Sequence, residues 1–490
     1  MTAQFVPQWP DGLPIGDSWV PAPATGDVHF PYDGSLVAAA PLGDVANARA
    51  ALDHAVSIRE DVGRLPSHVR REALAATHAA LASRRDDLEQ LLVLETGKPL
   101  VDCRVEVDRT LLTLQVSAEE VARLHGETVP LDLLPSGQGL IGFWVRKPVG
   151  VVVGIAGFNY PLLLASHKVA PALAAGCPVI VKPAPQTPLA TLWLVDLMRR
   201  AIVEAGGPAG AVQLVTGGPD VGAALTTDRR IGAVSFTGSA AVGHQIARDA
   251  APTKVLLELG NNSALVVADD ADLDAAADAI VRGGYYASGQ ACISVQRVIV
   301  VRSVRDELVT RLAARLDQVV VGDPRDLATR VSALIDERST SRVLAWVQAA
   351  VGSGATVLVG GGLADGVLQP TVLLDVPDGQ LAWDEEIFGP VLAVRAVPDL
   401  DAAFEAVNAS RYGLHASVFT SSLQTAFEAV DRLDVGGVVV NEVPGFRSDV
   451  MPYGGTKDSG IGREGPRFAI EELTVTRMAV IRPFTAGVGR

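Results

Sequence analysis

Short β-branched runs alternate with alanine-rich stretches through most of this chain, and that alternation limits the fold more than any other feature. Strand-like runs occur in VGVVVGIAG, CPVIVKP, AVQLVTG, IGAVSFTG, KVLLELG and SALVVAD, with helix-like segments such as TPLATLWLVDLMRRAIVEAG and DVGAALTTD between them. Strand–helix–strand units of this kind build a parallel, doubly wound α/β sheet. A second alternating block follows Cys292, running from QRVIVVRSVRDELVTRLAARLDQVVVG to RYGLHASVFT and GGVVVNEV. A mostly helical region, from DVANARAALDHAVSIRED to DRTLLTLQVSAEEVARLHG, precedes the first block. At 490 residues the chain is too long for one hydrophobic core, so two α/β domains are expected. TVTRMAVIR reads as a final strand that adds to a sheet edge or to a partner subunit.

The net charge is −15 and no basic stripe is present, which excludes a nucleic-acid backbone as partner. The run PVGVVVGIAGFNYPLLLAS (Pro148–Ser166) is long enough to span a membrane, but glycines, prolines and an asparagine break it into a strand, a turn and a helix start. MTAQFVPQWPDGLP has neither the basic start nor the apolar core of a secretory signal. Cys103, Cys177 and Cys292 form no paired framework and no metal-ligand spacing. A reducing cytoplasm is the expected setting.

Three residues at strand–loop junctions carry candidate chemistry. Cys292, in SGQACISVQRVIVV, has small or uncharged neighbours and suits a nucleophile. Glu258 ends KVLLELG, where a carboxylate can activate water. Asn159, in AGFNYP, follows a strand, and its amide can donate to an oxyanion together with the Cys292 N–H. Taken singly, the same residues read as a packing cysteine, a turn glutamate and a helix-capping asparagine. Gly460-Ile461-Gly462-Arg463-Glu464-Gly465 matches the spacing of a dinucleotide fingerprint, but GGTKDS precedes it instead of a strand, so it reads as a turn into PRFAIEEL. SFTGSAAVG (Ser235–Gly243) is the better nucleotide candidate, because it runs from a strand through Gly238 and Ser239 into a helix whose free N–H groups suit a pyrophosphate.

The ordered set GFNYP, HKVAPALAAGCPVIVKPAPQTP, SFTGS, LELGNNSA, GQACIS, EEIFGPV and MPYGGTKDSGIGRE resembles the aldehyde dehydrogenase superfamily over nearly the whole chain. The resemblance implies two doubly wound α/β domains with a small β oligomerisation arm. It assigns residues 1–122 and 146–258 to a nicotinamide-cofactor domain, 259–470 to a catalytic domain, and 123–145 with 471–490 to the arm. It implies a homodimer or homotetramer, an aldehyde substrate, and NAD or NADP as cofactor. Cys292 becomes the nucleophile, Asn159 the oxyanion donor and Glu258 the general base. Lys182 would bind the adenosine ribose, Gly238 and Ser239 the pyrophosphate, and Glu386 and Phe388 the nicotinamide ribose and ring. Without the resemblance, Glu386 reads as part of a solvated acidic trio and Phe388 as a core aromatic. Ile155, Ala156, Phe158, Pro185 and Leu259 complete the implied cofactor contacts. Phe158, Leu164, Ala291, Ile293, Phe446 and Arg447 are the substrate candidates. His167 is a further tunnel candidate, read as a packed helix residue because no polar partner adjoins it in sequence.

The implied reaction is attack of Cys292 on the aldehyde carbon, loss of hydride to give a thioester, and hydrolysis by water activated through Glu258. Acyl transfer to coenzyme A is the alternative fate of the thioester, and a catalytically silent member is a third possibility that the intact Cys292, Glu258 and Asn159 oppose. The chain departs from the family in three places. Gly157-Phe158 replaces a common Pro-Trp. Asn261 replaces the second of two glycines after Glu258. Pro185 stands where NAD-preferring members often carry a glutamate that repels a 2′-phosphate, so NADP is expected to be accepted alongside NAD. NEVPGFRSDVMPYGG is similar to a subgroup acting on small anionic aldehydes such as lactaldehyde or phosphonoacetaldehyde. Arg447 would hold the anion there, its other reading being a surface salt bridge. Ala291 and Tyr160 stand where that subgroup could offer arginine and histidine, which leaves a larger or neutral substrate open.

Overall fold

The computed structural model describes residues 9–483. A six-stranded sheet runs in the order Gly460–Ile461, Lys254–Glu258, Ile231–Thr237, Val151–Ile155, Val179–Lys182, Val212–Leu214. Its neighbours are parallel except Gly460–Ile461, which pairs antiparallel with the Glu258 strand. Strands covered by helices on both faces read as unbroken apolar runs, which is why the valine-rich segments stood out in the sequence. Helix Pro161–Ala175 is buried along its whole length, in keeping with its apolar composition on every side. Strand order reverses between Val151–Ile155 and Ile231–Thr237. In open α/β sheets, ligands bind beyond the carboxyl ends of the strands at such a reversal. Here those ends lead into Ala156–Asn159 and Gly238–Ser239.

A seven-stranded sheet follows the order Thr356–Val359, Thr371–Leu374, Val391–Val397, Arg297–Val301, Ala264–Val267, His415–Phe419, Gly437–Val440. Ala264–Val267 lies between Arg297–Val301 and His415–Phe419, in the second sheet; its periodicity grouped it with the first block, whereas the expected boundary at 259 put it with the later unit. The crossover is anchored on the second side. Asn262 Nδ2 donates to the carbonyls of Trp383 and Asp384 at 3.1 Å, and its Oδ1 accepts from Ser410 Oγ at 2.7 Å. Gly460–Ile461, grouped in sequence with the later unit, returns to close the edge of the first sheet.

Thr474–Ile481 pairs antiparallel with Ile141–Pro148, which also pairs with Glu127–Val129. Val475, Met478, Val480 and Ile481 on the terminal strand are exposed. Residues 1–8 and 484–490 of the expected domain ranges lie outside the described residues. A hairpin of Ala24–His29 and Leu36–Leu42, not anticipated from the sequence, precedes the helical region. The apolar run from Pro148 resolves into the Val151–Ile155 strand and the Pro161–Ala175 helix. Among the described residues no helix is long and apolar enough to cross a membrane.

Candidate active site

Cys292 sits on a loop that enters the Arg297–Val301 strand, and an unusual turn delivers it. Ala287, Ser288 and Gly289 all have left-handed backbones, with φ of 49°, 55° and 73°. That conformation costs a residue with a Cβ about 1–2 kcal/mol, so the two non-glycines need external restraint. Asp102 accepts from the Ala287 N–H at 2.9 Å, and Ser288 Oγ accepts from the Ser332 N–H at 2.9 Å. Gln290 Oε1 accepts from the Ile335 N–H at 3.0 Å, and the Gln290 carbonyl accepts from Asn159 Nδ2 at 2.8 Å. At Gly289 an added Cβ would stand 2.1 Å from the Gly389 carbonyl oxygen, so glycine is required there.

Asn159 does not cap the following helix. The helix starts after Tyr160 without a side-chain cap, and its Leu162 and Leu163 N–H groups donate to Glu106 at 3.0 and 3.1 Å. Glu106 is ion-paired with buried Lys98, whose ammonium also donates to the Asn159 carbonyl at 2.9 Å. Asn159 is thus held through both backbone and side chain. One N–H of its amide is used on Gln290, which leaves the second available to a ligand.

Glu258 is the last residue of its strand and is buried, and its Oε2 has no hydrogen-bond partner. Burial, reinforced by the Glu464 carboxylate, pushes its carboxyl well above the usual range. Asn261, in place of a glycine, donates from Nδ2 to Ser263 Oγ at 2.6 Å and so ties down the loop after Glu258. Behind the site lies a buried ionic cluster. Lys168 pairs with Glu464 and donates to Thr237 Oγ1 at 2.6 Å, and His167 bridges Asp449 (3.1 Å) and Glu464 (3.2 Å). Arg109 makes a two-pronged contact with Asp449, 2.9 Å on each arm. Burial opposes the Glu464 charge, but Lys168, His167 and Arg447 outweigh it and hold that carboxyl well below its ordinary value.

Cys292, Asn159, Glu258 and Arg109 border a cavity of about 790 Å³. Phe158, Leu164, Ala291, Ile293, Phe446 and Arg447 line it, as do Gly238, Ser239, Leu259, Glu386 and Phe388. Lys182, Pro185, Ile155 and Ala156 do not border it; they lie at or just beyond the two adjacent strand ends. His167 is not on the wall either, and its two buried carboxylate partners correct its reading as a residue without polar contacts. Arg447 is likewise no surface salt bridge. Its side chain is 5% exposed, 3.3 Å from Asp449 and 3.2 Å from Glu464. The sequence reading missed Arg109, Tyr286 and Tyr453 on the same wall. Arg109 and Asp449 are separated by 340 positions, so no local pattern could have linked them.

The cofactor side can be tested on its own residues. Ser239 precedes helix Ala240–Ala250 and makes no side-chain cap, so the first-turn N–H groups are left for an anion. A Cβ on Gly238 would lie 2.5 Å from the Phe236 ring, which would have to shift to admit one. Glu386 accepts the Asn261 N–H at 2.9 Å, and burial pushes its carboxyl up to about 7. It is therefore apart from the acidic trio, in which Glu385 instead pairs with Arg411. Phe388, at φ 52°, meets the Phe158 ring edge-on with centroids 5.7 Å apart, on the cavity wall and not in the core. Burial pushes the Lys182 ammonium down to about 8, with Asp220 as its nearest countercharge. Pro185 is exposed. This set suits a dinucleotide laid from Lys182 past Gly238 to Glu386.

Comparison with known proteins places this geometry in a family. The model of the aldehyde dehydrogenase family matches residues 19–479. The chain is 41% identical over 438 residues to the 3-sulfolactaldehyde dehydrogenase of Priestia aryabhattai, covering 89% of each chain. It is 34% identical over 456 residues to the lactaldehyde dehydrogenase of Methanococcus aeolicus, covering 93% of this chain and 97% of that one. Among solved structures, it superposes with a TM-score of 0.93 on aldehyde dehydrogenase 21 of Physcomitrella patens in complex with the reaction product succinate, at 35% identity and over 97% of this chain and 99% of that one. With the NADP-dependent glyceraldehyde-3-phosphate dehydrogenase of Bacillus halodurans, complexed with NADP, the TM-score is 0.92, the identity 33% and the coverage 97% and 99%. The chain belongs to the aldehyde dehydrogenase family, enzymes that oxidise aldehydes with a nicotinamide cofactor.

Proposed function

We propose that this chain oxidises an aldehyde to a carboxylic acid through a thioester on Cys292, with NAD or NADP as acceptor. One observation carries the reading: the Cys292 thiol, the spare N–H of Asn159 and Glu258, whose Oε2 has no partner, all border one cavity that continues to the Gly238–Ser239 turn. Cys292 Sγ forms a bond to the aldehyde carbon as the carbonyl electrons move onto oxygen. The Asn159 amide and the Cys292 N–H steady that oxyanion. A nicotinamide held by Gly238, Ser239, Glu386 and Phe388 would supply the two-electron acceptor for the hydride lost from that carbon. Glu258 then takes a proton from water, the water oxygen bonds to the thioester carbon, and the C–S bond breaks to release the acid. A carboxyl raised by burial is a stronger base once ionised, which suits that step. The six-stranded unit would hold the cofactor and the seven-stranded unit the nucleophile, with the exposed apolar strand Thr474–Ile481 forming part of an interface between copies.

The test is Cys292→Ala. It should abolish formation of reduced nicotinamide while leaving cofactor binding, read by fluorescence quenching, unchanged; a variant that kept most of its turnover would overturn the reading. Adding coenzyme A separates hydrolysis from acyl transfer, since only transfer yields a thioester product.

A second reading, a small anionic aldehyde as substrate, is favoured by Arg109. Both carboxylate oxygens of Asp449 engage its Nε and Nη2, while Nη1 has no hydrogen-bond partner among the described residues and the side chain borders the cavity. Arg447 borders the same cavity, with Glu464 and Asp449 beside it, and is a second candidate for the anion. Arg109→Met should raise KM by about 10-fold or more for sulfonated or carboxylated aldehydes and leave neutral ones unaffected. Equal losses on both would remove this reading.

A further inference from the structure

Cys292 has a polar neighbour that the reading above does not use. Its Sγ lies 3.4 Å from Tyr453 Oη, within hydrogen-bond range for sulfur. Tyr453 is 2% exposed, and among the described residues Cys292 is the only hydrogen-bond partner of its hydroxyl. The phenol ring is clamped. The Arg447 guanidinium stacks 3.6 Å from its centroid, and the His415 ring meets it at 5.0 Å and 62°. Glu464 and Asp449 fix that arginine in turn. The phenol oxygen is therefore held beside the sulfur, and a cation over the ring draws electron density from the O–H and makes it a better donor.

In the thiol form either atom can donate. Once the sulfur is ionised only the phenol can. We propose that Tyr453 is a catalytic residue whose hydroxyl donates to the Cys292 thiolate and stabilises it; the proposal rests on the reading of Cys292 as the nucleophile.

The other charged and titratable groups around the pair explain the need. Burial pushes the Cys292 thiol up to about 12, and the Glu386 and Glu258 carboxyls add to that effect. The Tyr453 hydrogen bond and the Arg447 charge act the other way. Tyr286 faces the sulfur as a neutral phenol, since burial keeps its hydroxyl protonated. His415, behind Tyr453, is pushed down to about 4 by burial and is neutral. Tyr453 is thus the one side chain bonded directly to Sγ among the described residues.

The size of the effect follows from opposing trends. A charge-assisted hydrogen bond that lowers the thiol pKa by about one unit raises the thiolate fraction roughly 10-fold. Intrinsic nucleophilicity falls with pKa and returns about 3-fold of that gain. The net advantage is roughly 3-fold wherever Cys292 is mostly thiol.

The experiment measures the rate of Cys292 alkylation by iodoacetamide along the rising limb of its pH profile, with mass spectrometry to locate the adduct. Cys103 and Cys177 are 0% exposed and do not compete. Tyr453→Phe keeps the ring and should react about 3-fold more slowly at each pH on that limb, with unchanged thermal midpoint and cofactor affinity. Replacement of Tyr453 by 3-fluorotyrosine, a more acidic donor of nearly the same size, should react faster than wild type. Opposite signs are a signature that a purely structural role does not produce. Glu386, whose carboxyl burial pushes up to about 7, stands unchanged beside the sulfur in both variants and cancels in the ratio. Wild-type rates in both variants, or slowing in both, would overturn the proposal. If alkylated Cys292 still supported aldehyde turnover, the nucleophile reading would be at fault instead.

Discussion

Replacing Asn159 by alanine separates chemistry from architecture at this site. Two consequences are expected, and their sizes differ. The substitution removes the amide proposed to steady the oxyanion, a loss expected to cost about 10²–10³ in the acylation rate, or roughly 3–4 kcal/mol. It also removes the 2.8 Å bond to the Gln290 carbonyl, one of four restraints on the left-handed turn before Cys292. A neutral hydrogen bond contributes about 0.5–1.5 kcal/mol net. The strain to be restrained at Ala287 and Ser288 is about 1–2 kcal/mol each, so the three surviving bonds still hold the turn. The variant should therefore stay folded, with a thermal midpoint within about 2–4 °C of wild type, and bind cofactor normally. Stopped-flow mixing with a saturating aldehyde should show the burst of reduced nicotinamide slowed by about two to three decades. A burst within about 5-fold of wild type would refute the oxyanion role. A slow burst in a protein that had also lost cofactor affinity would refute the separation of the two effects.

Two further outcomes follow from charge. Glu386 is pushed up to about 7 by burial, so the folded state binds its proton more tightly than the unfolded chain does. Its contribution favours folding below the ordinary carboxyl range and is lost as pH rises through about 7; Glu386→Gln should therefore gain thermal stability relative to wild type at pH 8 but not at pH 4, by calorimetry, and equal differences at both would count against it. Asp220 sits near the Lys182 ammonium, where a 2′-phosphate would approach, so it supplies a carboxylate that Pro185 does not. Asp220→Asn should raise kcat/KM with NADP relative to NAD by about 3- to 10-fold, and an unchanged ratio would show that Asp220 does not face the ribose.

What the sequence revealed and what it concealed divide by range. Periodicity located the five parallel strands of the first sheet and four of the second, because a strand buried on two faces announces itself in its own residues; Thr356–Val359, Thr371–Leu374 and Val391–Val397 went unnamed, and Gly460–Ile461, read as a turn, is a short edge strand. The motif order led to Cys292, Glu258 and Asn159, which the fold brings to one cavity. Sheet membership was harder. Ala264–Val267 looks like its predecessors, and its pairing with Arg297–Val301 and His415–Phe419, with the Asn262 contacts to Trp383 and Asp384, shows which sheet it joins. The ionic cluster was hidden for the same reason. His167 meets Asp449 across 282 positions, and nothing near either residue signals the other. Tyr453 lay inside a quoted motif, yet its value depends on a sulfur 161 positions away.

The segment from Arg447 to Glu464 gives the nucleophile its phenol neighbour, gives the buried cluster three of its charges, and returns to seal the edge beside Glu258. A nascent chain makes that segment long after it has made Cys292. Until it docks, the sulfur has neither clamp nor counter-ion and the Glu258 strand is an open edge. One long-range segment thus completes both the surroundings of the nucleophile and the edge of the first sheet.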